Sequence, residues 1–109
     1  MKGYRISEAT VEAASLRWLN SIEGAYFVKR PASAKRYGHP DVTGCYRGRR
    51  VEIEMKAPGN EPTTLQARKL RDWAAAGAVA GCSHSLAETQ AIFCGAFGDD
   101  IKFKQRRKR

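Results

Sequence analysis

Asp41, Glu54 and Lys56 are the residues whose types and spacing point to chemistry. Glu54 and Lys56 close an alternating run, Val51-Glu52-Ile53-Glu54-Met55-Lys56, which is the pattern of a β-strand. Glu52, Glu54 and Lys56 then share one face. Asp41 opens a second strand-like run, Asp41 to Tyr46, and Arg47-Gly48 separates the two. Folding the pair symmetrically about that dipeptide sets Val42 opposite Ile53, Gly44 opposite Val51, Thr43 opposite Glu52 and Asp41 opposite Glu54. Apolar residues meet apolar ones and polar residues meet polar ones, and a one-residue slip destroys the sorting. Arg47 stands where a tight hairpin wants a positive φ, so a bulged turn is an alternative.

Two carboxylates meeting across a hairpin repel each other, and burying them costs several kcal/mol or raises a pKa unless positive charge intervenes. A hard divalent cation, Mg²⁺ or Mn²⁺, suits oxygen ligands of this kind. Lys56 lies about 6–7 Å beyond Glu54 along the same face. That is too far for simple pairing with both acids, but near enough to meet a substrate atom held at the metal. Two acids, a metal and a lysine suit phosphodiester hydrolysis, with the lysine placing water or offsetting charge on phosphorus. The competing reading is a plain solvated face, which the run Val51 to Lys56 taken alone favours. The combination with Pro40-Asp41 and the register favours the site.

Charge supports an anionic partner. The chain has 109 residues, 20 of them Lys or Arg against 11 Asp or Glu, for a formal net charge of +9. Such an excess fits nucleic acid or an acidic surface. Lys29, Arg30, Lys35 and Arg36 precede Asp41, and Arg47, Arg49 and Arg50 sit at the hairpin tip. As a set they are expected DNA contacts, giving affinity and not sequence readout. No apolar run reaches spanning length and no signal peptide is recognised, so a membrane or secreted role is not expected. Cys45, Cys82 and Cys94 lack metal-ligand spacing and are read as reduced, small buried hydrophobes of an intracellular protein. His39 has no partner at zinc spacing.

The elements that position these residues follow from periodicity and caps. Ser7 caps a first helix whose stripe is Val11, Ser15, Trp18, Leu19 and Ile22, with Glu8 and Glu12 on or beside it. Ala25 to Arg30 is a strand, and a polar loop runs on to Gly38. Thr63 and Gln66 form a capping box for a helix ending at Gly77, with Leu65 or Gln66, Leu70, Trp73 and Ala74 inward. Ala78 to Cys82 is a buried strand. Ser85 and Glu88 form a second capping box, opening a helix through Phe97. The apolar face Ala91 to Phe97 suits an intrachain core or a dimer face equally. Both tryptophans are read as core. The order α-β-β-β-α-β-α gives an α/β fold, a small mixed sheet with helices against it. Residues 1–98 form one domain, and 99–109 form a basic tail, with a disordered polyelectrolyte arm on DNA as one reading of Lys102 to Arg109.

With those residues in place, the chain resembles the PD-(D/E)xK nucleases, and more narrowly the virus-type replication-repair nuclease domain, VRR-NUC. The resemblance rests on the Glu8 to Glu12 helix, Lys29, Gly38-x-Pro40-Asp41, Glu54-Met55-Lys56 with Ala57-Pro58-Gly59, and Gln66. It implies a restriction-endonuclease-like core in which Asp41, Glu54 and the Met55 carbonyl hold Mg²⁺ or Mn²⁺. Lys56 is then catalytic, Gln66 orients Lys56, the water or a phosphate, and an acid of the first helix adds a ligand. Glu12 and Glu8 both fit that last place, Glu12 slightly first. Stand-alone phage-borne members resemble Holliday-junction resolvases, which implies a homodimer acting on branched DNA in a host cytoplasm, with no nucleotide cofactor. Flaps, ends or duplex DNA are alternative substrates for the same chemistry. A basic nucleic-acid-binding module without catalysis is the alternative outside enzymology.

Overall fold

The computed structural model describes residues 6–105. Its elements are α1 (Glu8–Asn20), β1 (Ala25–Lys29), α2 (Ala32–Lys35), β2 (Val42–Tyr46), β3 (Arg49–Met55), α3 (Thr64–Ala75), β4 (Val79–Ser83) and α4 (Leu86–Phe97). The four strands lie in the order β1-β2-β3-β4. The first three are antiparallel, and β4 joins β3 in parallel after the α3 crossover. The mixed α/β sheet is the one expected. The added element is α2, a single turn after Pro31 with no side-chain cap and no buried residue, inside what reads as a loop.

The hairpin carries the sequence-derived register. Val42 pairs with Ile53, Thr43 with Glu52 and Gly44 with Val51. Its turn has two residues, and Tyr46 pairs directly with Arg49. Arg47 accepts a φ of 48° and Gly48 one of 86°, the double positive φ of a tight hairpin turn, so no bulge forms. At Gly44 a Cβ would collide with the Tyr26 carbonyl oxygen and the Phe27 ring. Gly44→Ala is therefore expected to lower stability by about 2–3 kcal/mol, readable as a lower urea midpoint.

One sheet face is covered by α1 and α4. Phe27, Val42, Val51, Ile53 and Met55 meet Val11, Leu19, Ile22 and Phe93 there. Trp18 stands edge-on to Phe93, and Phe93 and Phe97 both pack on Tyr46, so the α4 aromatics belong to the chain's own core. The other face is treated differently. No residue of α3 is fully buried: Gln66, Leu70 and Trp73 of the expected inward stripe are half-buried, while Leu65, at 42 %, and Ala74 are exposed. Trp73 is half-buried and meets two guanidinium groups, Arg50 at 4.7 Å and Arg30 at 5.7 Å from its ring centre. An ionic and aromatic contact fixes this helix in place of an aliphatic seam. Tyr26, Val28 and Cys45 on the same sheet face are exposed, so Cys45 is not the buried hydrophobe expected.

The start of the basic tail is also docked. Ile22 bridges to Phe103, Lys104 N–H donates to the Ser21 carbonyl, and Phe103 packs against Trp18. An arm reaching for DNA could begin only beyond this anchor. Residues 106–109 lie outside the described residues. No helix among the described residues is long and apolar enough to cross a membrane.

Candidate active site

Asp41 and Glu54 reach the same place because Asp41 lies just before β2 and Glu54 one residue from the end of β3, at the end of the hairpin away from its turn. Both are buried, at 0 % and 1 % exposure. Asp41 Oδ2 accepts the Met55 N–H at 3.0 Å, which ties the loop acid to the strand bearing its partner. Lys56 Nζ stands 3.9 Å from Glu54 Oε2. The loop behind Lys56 is held by His84, which donates from Nε2 to the Asn60 carbonyl and from Nδ1 to Glu88, each at 2.8 Å. Glu88 therefore serves His84, and only the Ser85 half of the expected capping box forms.

Electrostatics at the pair is unfavourable without a cation. Burial first, and then the Asp41 charge, push the Glu54 carboxyl up to about 8, with Lys56 pulling the other way. Asp41 Oδ1, Glu54 Oε1 and Glu12 Oε2 are buried without a hydrogen-bond partner. The Lys35 ammonium lies 3.1 Å from Asp41 Oδ1 and offsets part of its charge, but buried acidic oxygens without a hydrogen bond are a cost that native folds avoid unless something absent from the chain satisfies them. That is the fit for a hard divalent cation. Among the described residues no group of three Asp, Glu, His or Cys side chains is set to hold a metal. Mg²⁺ does not require one, since it keeps several waters and takes one or two carboxylates plus phosphate oxygens. A metal such as Zn²⁺, which takes three or four protein side chains, does not fit the described residues. Cys82 faces Glu54 across the parallel ladder, and burial, then the Glu54 charge, raise its thiol to about 11.

The two helix acids have distinct settings. Glu8 is half-buried and reaches the pair through Lys35, whose Nζ is 3.4 Å from Glu8 Oε2 and 3.1 Å from Asp41 Oδ1. The second contact is ionic without hydrogen-bond geometry, which leaves Oδ1 orphaned. Glu12 is 6 % exposed and lies 3.5 Å from Lys29 Nζ. The ion bridge thus links Glu8, not Glu12, to Asp41. Gln66 is engaged in its capping box, with its Oε1 accepting the Thr63 N–H at 2.9 Å. His39 and Trp73, with Lys69 and Asp72, line a cleft of about 200 Å³, and His39 Nδ1 is buried without a partner.

The expected DNA contacts divide. Arg36 is exposed on the α2 side, beside Tyr37. Arg47 and Arg49 are exposed at the turn, about 17 Å of strand from Glu54. Arg30 points inward, its side chain 15 % exposed and 2.6 Å from Glu52 Oε1. Arg50 takes the other oxygen of Glu52 at 2.8 Å, and the Thr43 hydroxyl also donates to it. Glu52 itself is 0 % exposed, so the first acid of the alternating run is neither ligand nor solvated charge. Sequence reading missed this cluster. Its one local signal is Arg50, two residues before Glu52 on the same strand face.

No family model matches the chain, and no curated protein matches it. Among solved structures it superposes on a VRR_NUC domain protein with a TM-score of 0.63. The overlap covers 87 % of this chain and 89 % of that one, at 20 % identity. The fold is that of a VRR_NUC domain. At this identity the likeness speaks to architecture, and within the VRR_NUC frame the chemistry rests on the residues just described.

Proposed function

We propose that this protein is a divalent-metal-dependent DNA endonuclease that hydrolyses phosphodiester bonds. The observation that carries the reading is the buried Asp41–Glu54 pair with orphaned oxygens beside Lys56. The VRR_NUC fold and the net charge of +9 support it. Asp41 and Glu54 would hold Mg²⁺ or Mn²⁺ with the Met55 carbonyl, and Glu8, tied to Asp41 through Lys35, would add its charge from outside the ligand set. When bound, the cation supplies Lewis-acid activation of water and offsets charge at phosphorus. Lys56, charged and only 13 % exposed, binds a phosphate oxygen or orients the attacking water. Arg36 and Lys29, both exposed, would offer the flanking DNA backbone positive charge.

Branched DNA is the substrate and a homodimer the working form in this reading, since two copies present two sites to a junction. On the sheet face that carries α3, the β1 edge with Tyr26, Val28 and Cys45 is exposed, and it would be the surface that pairs two copies. Four-way, flap and linear duplex DNA incubated with Mg²⁺ test the proposal. Paired nicks in the four-way junction, abolished by EDTA, are expected. Cleavage confined to flaps or ends would reassign the substrate, and DNA binding without metal-dependent cleavage would leave only a binding module.

A further inference from the structure

We infer that Arg30 is a positioning residue for Asp41, held in that task by the buried carboxylate of Glu52. The inference rests on the proposed metal site and explains why the β3 strand carries a second, fully buried acid. Arg30 makes three directed contacts. Its backbone N–H donates to the Asp41 carbonyl at 2.7 Å. Its Nη1 donates to the Pro40 carbonyl at 2.9 Å and to Glu52 Oε1 at 2.6 Å. The peptide groups on both sides of the Asp41 Cα are thus pinned from the residue following β1. Pro40 removes one more backbone freedom by fixing its own φ. With the Met55 N–H holding Oδ2, the Asp41 carboxylate has little room to turn.

Glu52 keeps the guanidinium in place. At 0 % exposure its charge needs compensation, which Arg30, Arg50 and the Thr43 hydroxyl provide. Arg30 is held from the other side by Trp73 of α3, 5.7 Å from the ring centre. A planar, permanently charged fork suits this combination of ring, carboxylate and carbonyl, and a lysine ammonium does not reproduce it. Groups that orient a metal ligand in this way commonly change metal affinity 10- to 100-fold when removed.

The test is Mn²⁺ affinity measured by titration calorimetry on the full chain, alongside the thermal midpoint. Arg30→Lys keeps the charge opposite Glu52 and is expected to fold. It should bind Mn²⁺ several-fold more weakly than wild type. The double variant Arg30→Met with Glu52→Met removes both buried charges together, so neither is stranded. It should lose about tenfold in Mn²⁺ affinity, and its kcat should fall with KM for DNA unchanged. Wild-type Mn²⁺ affinity in the folded variants would overturn the inference alone, as would a defect confined to KM, which would mark Arg30 as a DNA contact. Absence of Mn²⁺ binding by wild type would overturn the metal-site reading, and this inference with it.

Discussion

Replacing Lys56 by methionine is expected to lower the rate of strand cleavage by about 100- to 1,000-fold while the protein stays folded and still binds Mn²⁺. The side chain is 13 % exposed and its only charged neighbour within ion-pair distance is Glu54, at 3.9 Å among the described residues. At 3.9 Å the contact is longer than a hydrogen bond, and with the Glu54 carboxyl raised to about 8 no ionised partner is stranded at neutral pH when the ammonium is removed. Its position beside the carboxylate pair suits a scissile phosphate. Methionine keeps the stem that packs and removes only the charge. The loss should therefore appear in kcat in single-turnover assays, with DNA affinity nearly unchanged. A variant that cleaves at the wild-type rate would remove Lys56 from the chemistry.

Glu54→Gln is expected to have opposite effects on stability and activity. The Glu54 carboxyl is raised from 4.5 to about 8, by burial first and by Asp41 second. Between those values the folded protein retains a proton that the unfolded chain has lost. The contribution of this group to metal-free stability then falls as pH rises from about 4.5 to about 8 and is fully lost above that. Glutamine does not titrate, so the variant should lack this slope. It should exceed metal-free wild type at pH 8 by on the order of a few kcal/mol. Divalent cation should restore wild-type stability by mass action and leave the variant unmoved. Cleavage by the variant should be abolished. Urea midpoints at pH 5 and pH 8, with EDTA and with Mg²⁺, read the stability effects, and a strand-cleavage assay reads the loss of activity. Equal pH slopes for the two proteins would contradict the assignment of the buried charge.

The hairpin was legible in the sequence because its information is local. Side chains alternate with a period of two, and one register alone pairs Val42 with Ile53 and Gly44 with Val51 while bringing Asp41 towards Glu54. Caps were legible for the same reason, since Ser7 and Thr63 act within three residues of themselves. Glu52 shows where this stops. An alternating acid reads the same whether it faces water or two arginines, and Arg30 reaches it from a residue 22 positions away. The face of α3 shows a related limit: its inward residues are legible, but not what they pack on. Leu65, Leu70 and Trp73 have helical spacing, but the sheet surface they meet carries Arg30 and Arg50, so Trp73 lies against guanidinium groups. In the sequence Lys35 reads as a phosphate contact, and in the structure its ammonium stands between Glu8 and Asp41. That position depends on the turn of α2, which has no cap or apolar stripe to announce it.

These expectations share one premise, that the two buried acids of the hairpin form a cation site facing Lys56. Anomalous diffraction from crystals soaked in Mn²⁺ tests it most directly. A single strong peak bonded to both Asp41 and Glu54, and absent from Glu54→Gln crystals, is the predicted result. Full Mn²⁺ occupancy elsewhere on the molecule, or no peak between these carboxylates, would contradict it.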